Sequence, residues 1–351
     1  MRTLTLTVML TMGMLAAVPL RVAAQAPPAP AAPADCSAAG NVQFVCGQQA
    51  PEDLVTLPGG QWVVAGAYSG SGGIYLIRTS DKRSSVAYPS ATAKDQFDAK
   101  TYKGCPGAPD AAAKAKFQTH GLSLQPGTNS VHRLYAVLHG PRESVEVFEV
   151  DARQATPTLT WIGCAVAPDP IGLNSVRWPA DGGFIATNFL PRSTDPAAMK
   201  VMMGGKTNGE LWEWHTASGW QKIPGSEAAG ANGIEISNDG RTLYVAAWGT
   251  QSFFKLSRGQ NPPQRQEIPL NFRVDNIRWA ADGSILAAGQ SMGTGPATVV
   301  VKIDPNTLAV KEVLRHANTP AFSNGTVAVE VGKTYWVGTF RGDRLAIFPM
   351  P

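Results

Sequence analysis

Hydrophobic and polar residues alternate along most of this chain, in short runs separated by glycine-bearing turns. In GIEISNDG, Ile234 and Ile236 fall on one side while Glu235 and Ser237 fall on the other, the period-two signature of a half-buried strand. Six times the same phrase returns: a polar residue, a strand-like run, a tight turn closed by glycine, and a second apolar strand. The copies begin at Glu52, His120, Asn174, Asn232, Asp275 and Asn324. In five of them the leading residue stands eight positions before the turn glycine, as Asn232 does before Gly240, whereas His120 precedes Gly127 by seven. Turns such as PGG, ADGG and NDG supply the glycine that tight hairpins need at positive φ. Runs between the copies, among them GGIYLIRT, SVEVFEVD, GELWEWHT and TVVVKIDP, provide outer strands. Successive copies start 43 to 68 residues apart, the length of a four-stranded blade with its loops.

This pattern predicts an all-β fold, a six-bladed β-propeller with a central channel, formed as a single domain by residues 36–351. Little chain remains after the last copy, so residues near Cys36 to Val45 are expected to supply its missing strand and close the ring. Helix is expected only around Asp110 to Gln118. That stretch lies in the long segment between Ala65 and His120, whose length marks it as a lid over one face. The tryptophans, including Trp178, Trp212, Trp214, Trp248 and Trp279, sit on or beside strands and read as blade-packing aromatics.

Composition narrows the setting. Arg2, the apolar run from Leu4 to Leu20 and the small residues before Gln25 read as a signal peptide over 1–24, followed by a Pro/Ala-rich leader over 25–35. The mature product is expected to be exported, periplasmic or secreted, with no membrane span after signal cleavage. Four cysteines allow three pairings; in an oxidising compartment the expected bridges are Cys36 with Cys46, and Cys105 with Cys164. The formal net charge is +4, with Lys and Arg scattered rather than clustered, so no nucleic-acid partner is indicated. No HExxH motif or CxxC pair is present, which removes the common zinc routes.

Blade starts sit at one end of a propeller channel, so Glu52, Asn174, Asn232, Asp275 and Asn276 should converge there from distant parts of the chain. Two carboxylates and three amide oxygens form an all-oxygen donor set that suits a hard cation, calcium above all. Asn324 shares the register and is expected to line the channel. His132, His215 and His316 have no such placement and are assigned surface or packing roles.

The segments EDL at Glu52, HG at His120, the LHG that follows, LNSV around Asn174, ANGI at Asn232 and VDNI at Asp275 occur in an order that resembles the paraoxonase and arylesterase family, relatives of the SMP-30/gluconolactonase-like hydrolases. The likeness spans Pro51 to the C-terminus. It implies a calcium-dependent hydrolase of lactones or aryl esters, with Glu52, Asn174, Asn232, Asp275 and Asn276 as metal ligands. His120 is then the general base, and His139 the second histidine in its support. It also implies a second, structural calcium at Asp53 and the carbonyl of Leu122, weakened here because Ser175 stands where the family carries an aspartate. The alternative is a non-catalytic exported propeller that binds a ligand, glycan or protein over the channel mouth with a structural calcium. A third reading is a related propeller whose metal assists isomerisation or condensation. Substrate identity and oligomeric state are not legible in the sequence.

Overall fold

A computed structural model describes residues 35–192 and 197–351; the segments read as signal peptide and leader fall outside the described residues up to Ala34. The period-two runs form six sheets arranged as the blades of a β-propeller. Blade one comprises Pro51–Thr56, Trp62–Ala67, Gly73–Arg78 and Ser84–Tyr88. Blade two comprises Gln118–Gln125, Val131–His139, Ser144–Asp151 and Thr158–Val166, and blade three Leu173–Arg177, Phe184–Asn188, Glu210–His215 and Gly219–Lys222. Ala231–Ile236, Thr242–Ala247, Ser252–Ser257 and Arg265–Pro269 make blade four. Arg273–Trp279, Ile285–Ser291, Ala297–Ile303 and Val310–Ala317 make blade five. In blade six, Gly325–Val331, Thr334–Thr339 and Arg344–Pro349 are completed by Gln43–Cys46, which pairs antiparallel with the last of them in the register Gln43 to Ile347. The expected closure from the N-terminal side is thus observed. Each blade's innermost strand touches that of the next, and the sixth touches the first.

Apolar side chains fill the spaces between blades, where Leu54, Leu122, Val176, Ile234, Ile277 and Val327 are all fully buried. Tryptophans help to fix the blades to one another. Trp178 Nε1 donates to the Leu124 carbonyl of blade two at 2.7 Å, and Trp279 Nε1 to the Ile236 carbonyl of blade four at 3.0 Å. Trp248 departs from the blade-packing expectation, since it stands after the second strand of blade four with an arginine over its indole ring.

Both expected disulfides are present, Cys36–Cys46 with a Cα–Cα distance of 6.0 Å and Cys105–Cys164 with 5.2 Å. The second explains why the segment expected as a lid lies elsewhere. Lys94–Asp95 forms a short parallel pairing with Thr160 and Trp161, Gln96 donates its amide to the Trp161 carbonyl at 2.8 Å, and Cys105 is tied to Cys164. Most of this segment therefore runs along the outer edge of blade two, covering unpaired strand groups that would otherwise invite another chain. The helix near Asp110 is reduced to Ala111–Lys114, capped by the Asp110 carboxylate at the Ala113 amide.

One local irregularity positions the site. In blades one to five the ladder between the first two strands slips at one place: between Pro51 and Leu54, Thr119 and Leu122, Leu173 and Val176, Ala231 and Ile234, and Val274 and Ile277. The residues inside these bulges are Glu52–Asp53, His120–Gly121, Asn174–Ser175, Asn232–Gly233 and Asp275–Asn276. A bulge frees its residues from the ladder and re-aims their side chains, so the repeated polar leader becomes a ring of groups turned toward the channel. Glycine follows the leader in two of these bulges for lack of room. A Cβ on Gly121 would come within 2.3 Å of the Asn174 carbonyl oxygen, and one on Gly233 within 2.6 Å of that of Asp275.

Candidate active site at one end of the channel

The five bulges bring Glu52, Asn174, Asn232, Asp275, Asn276 and His120 together from separate blades. Asn276 Nδ2 donates to Glu52 Oε1 at 2.7 Å, and Asn174 Nδ2 donates to His120 Nε2 at 3.3 Å. Glu52 Oε2 lies 3.6 Å from the same His120 nitrogen. Asp275 Oδ2 accepts from Gln290 Nε2 at 2.8 Å, and its carboxylate also meets the Asn232 amide. All of these side chains are buried or nearly so.

Four oxygens of this group, Glu52 Oε2, Asn174 Oδ1, Asn232 Oδ1 and Asn276 Oδ1, are buried without any hydrogen-bond partner. A lone buried acceptor costs on the order of 1–3 kcal/mol, and folded proteins rarely leave such groups unmet. Three amide oxygens beside the Glu52 and Asp275 carboxylates have the chemistry of a hard-cation site, and the cluster fits calcium. Among the described residues no three His, Cys, Asp or Glu side chains gather as a metal cluster, in keeping with a donor set that leans on amide oxygens. Burial pushes the Glu52 carboxyl up to about 7, against the pull of its Asn276 hydrogen bond, and Asp275 well above its ordinary range, reinforced by Glu52. The cluster therefore lacks positive charge.

Behind His120 runs a relay. His120 Nδ1 lies 2.8 Å from His139 Nε2, His139 Nδ1 lies 2.9 Å from Glu143 Oε2, and Glu143 Oε1 accepts the Leu173 amide at 2.6 Å. A carboxylate only accepts, so the His139 proton sits on Nδ1; its Nε2 then accepts, which places the His120 proton on Nδ1 as well. The tautomers follow from the network, and they leave His120 Nε2 unprotonated, an acceptor at the oxygen cluster that Asn174 Nδ2 meets at 3.3 Å. Burial, aided by His139, pulls the His120 imidazole down to about 3, so it is held neutral. The Tyr68 ring covers His120 at 4.4 Å between centroids. Glu143 and Tyr68 were not singled out in the sequence; a carboxylate four residues after His139, within HGPRES, was the available signal for the first.

The two groups expected to share a second cation, the Asp53 carboxylate and the Leu122 carbonyl, do converge, but on a guanidinium. Arg278 Nη2 contacts both Asp53 oxygens and donates to the Leu122 carbonyl at 3.0 Å, while Asp53 also accepts the Leu54 amide at 2.8 Å and the Leu122 amide at 2.6 Å. The positive charge at this point is built into the chain, so Asp53 and Leu122 are not left short of a cation. Burial still raises the Asp53 carboxyl to about 6, but Arg278 holds it below neutrality. Nearby, Arg177 and Glu235 pair at 2.8 Å. Arg177, Glu235 and Arg278 line an opening of about 450 Å³.

Asn324 departs from expectation. In blade six the ladder slips one position later, between Gly325 and Val327, and Asn324 precedes the strand at φ 55° with its amide on Ser323 Oγ at 2.9 Å. Thr326 is the residue inside that slip, and it donates to the Glu52 carbonyl at 2.5 Å. The remaining histidines lie apart from the site: His132 accepts the Gly127 amide, His215 pairs with Glu213, and His316 packs on Phe348.

Fold and site together define a six-bladed β-propeller with an oxygen-rich polar cluster at its hub. No protein-family model matches the chain, and no curated protein matches it. Among solved structures it is similar to SMP-30/gluconolactonase-like propellers. A gluconolactonase from Xanthomonas campestris superposes with a TM-score of 0.55 at 17% identity, over 93% of this chain and 99% of that one. A luciferin-regenerating enzyme gives 0.55 at 10% identity, over 88% and 94%. Regucalcin from Agrobacterium tumefaciens, described as a calcium-binding protein, gives 0.50 at 12%, over 88% and 91%. At these identities the likeness is one of fold.

Proposed function

We propose that the protein is a calcium-dependent hydrolase of lactones or aryl esters, with Glu52, Asn174, Asn232, Asp275 and Asn276 holding the metal. The observation that carries this reading is the cluster of four partnerless buried oxygens directly in front of His120 Nε2. A gluconolactonase and a calcium-binding protein on the same fold are in keeping with it. When bound, calcium supplies Lewis acidity that polarises a carbonyl and offsets charge developing on its oxygen.

The protein's own groups do the rest. His120 Nε2 takes a proton from the attacking water, while the proton on its Nδ1 remains directed at His139 Nε2. Imidazolium character that develops on His120 is met by His139, whose orientation is fixed by Glu143, itself held by the Leu173 amide. The Tyr68 ring limits solvent access to the base. No covalent nucleophile is required. The two disulfides support export through the segment read as a signal peptide, which mass spectrometry of the mature N-terminus checks directly.

The test is a panel of γ- and δ-lactones and aryl esters, assayed with and without EDTA. Turnover that chelation removes and calcium restores is expected; turnover indifferent to EDTA overturns the assignment. His120→Gln is expected to lower kcat by about 10²- to 10⁴-fold while calcium binding, followed by titration calorimetry, is retained.

A further inference from the structure

Most well-buried or half-buried arginines in this fold face a carboxylate. Arg278 faces Asp53, Arg177 faces Glu235, Arg142 faces Glu146, and Arg258 faces Glu213 and Asp181. Arg273 does not. It is 8% exposed, its guanidinium lies over the Trp248 indole with Cζ 4.2 Å from the ring centroid, and its Nη1 donates to the Trp248 carbonyl at 3.2 Å. Nε is buried with no acceptor, and the hydrogen bond of Nη1 goes to a carbonyl rather than a carboxylate. Removing a charge from water without a counter-ion is costly, and a guanidinium whose Nε–Nη2 edge is free is shaped for the two oxygens of a carboxylate.

Its position gives the edge a use. Arg273 opens the inner strand of blade five, two residues and roughly 7 Å of extended backbone before Asp275. Trp248 Nε1 donates to Gln290 Oε1 at 3.1 Å, and Gln290 Nε2 donates to Asp275 Oδ2 at 2.8 Å, so indole, amide and carboxylate form one connected wall from the guanidinium to the oxygen cluster. Phe189 meets Trp248 edge-on at 5.9 Å, adding an apolar flank.

We propose that Arg273 is a carboxylate-recognition residue, and that the substrates turned over at the cluster carry a free carboxylate, remote from the scissile carbonyl, which docks on the Nε–Nη2 edge beside Trp248. The substrate part rests on the hydrolase reading above; the carboxylate site does not.

Two measurements on the calcium-loaded protein test this. In the first, hexanoate is expected to raise the melting temperature of the wild type but not of Arg273→Met, with hexanamide inert toward both; an equal hexanoate shift in the two proteins overturns the site. In the second, the mono-p-nitrophenyl ester of glutaric acid is compared with its methyl ester. The wild type is expected to favour the free acid by about 10- to 100-fold in kcat/KM, Arg273→Met to lose that preference, and Arg273→Lys to keep part of it. Equal turnover of acid and methyl ester by the wild type overturns the proposal without recourse to any variant. Turnover of neither ester nor of any γ- or δ-lactone in the panel, with the hexanoate shift intact, leaves the carboxylate site standing and removes the hydrolase instead.

Discussion

Glu52 and Asp53 are neighbours in one bulge and are both sealed from solvent, yet their charges are met in opposite ways. Asp53 contacts Arg278, and both of its oxygens accept backbone amides as well. Glu52 has one amide on one oxygen and nothing on the other, and the oxygens around it are also unmet. The Arg278 end is complete as the chain folds, whereas the His120 end keeps buried oxygens that no group of the chain meets. The lesson is that one repeat supplies both a self-neutralised structural pair and a cluster of unmet oxygens, and that the chain chooses between them by where it places an arginine.

The largest effect is expected where that choice is undone. Asp53→Asn leaves the Arg278 guanidinium buried without its counter-charge and is expected to cost about 3–5 kcal/mol of stability, read by chemical denaturation. Because the pair owes nothing to metal, the loss should be the same with and without calcium. A loss that added calcium abolishes would show that the two ends are not separate, and a loss below about 1 kcal/mol would show that the arginine is not the needed counter-ion.

A smaller effect is expected from the relay behind His120. In Glu143→Gln the Leu173 amide still requires an oxygen, so the new NH₂ faces His139 Nδ1 and drives that ring's proton to Nε2. The donor then presented to His120 Nδ1 forces the His120 proton onto Nε2, the nitrogen that must be unprotonated to act as base. Turnover is expected to fall about 10- to 100-fold with KM and calcium affinity unchanged, and Glu143→Asp to recover part of it. A parallel loss of calcium affinity would instead make Glu143 a support for the oxygen cluster.

What the sequence made legible follows from the same contrast. The leaders could be read because a repeat places equivalent residues at equivalent points of a ring, so convergence follows from register without any knowledge of contacts. The offset of eight residues was not sufficient by itself, since Asn324 shares it but lies outside the blade-six ladder slip; strand register, not spacing to a turn, aims the side chain. Arg278 was missed because its partner is 225 positions away and becomes a neighbour only when the ring closes. A trace was present, for Arg177, Glu235 and Arg278 all stand three places after their leaders. Arg273 and Glu143 lie beside the repeated phrase rather than in it, so periodicity carried no information about them. The segment expected as a lid was misplaced because length says nothing about which surface a loop covers, whereas the Cys105–Cys164 bridge does.

The smallest effect, and the finest probe of the comparison, is Glu52→Gln. The replacement keeps an oxygen for Asn276 and removes a carboxyl that burial already holds up to about 7, so the calcium-free protein should change by less than about 1 kcal/mol and in the stabilising direction, because a buried charge without a partner is lost. Calcium should then cease to raise the melting temperature, since binding to the folded state is what links the two. The adjacent substitutions Asp53→Asn and Glu52→Gln, each the exchange of a carboxylate for an amide in the same bulge, are therefore expected to move metal-free stability in opposite directions. If Glu52→Gln destabilises the metal-free protein as much as Asp53→Asn does, the Glu52 carboxylate is already satisfied from within, and the argument that the cluster waits for a cation fails at its first ligand.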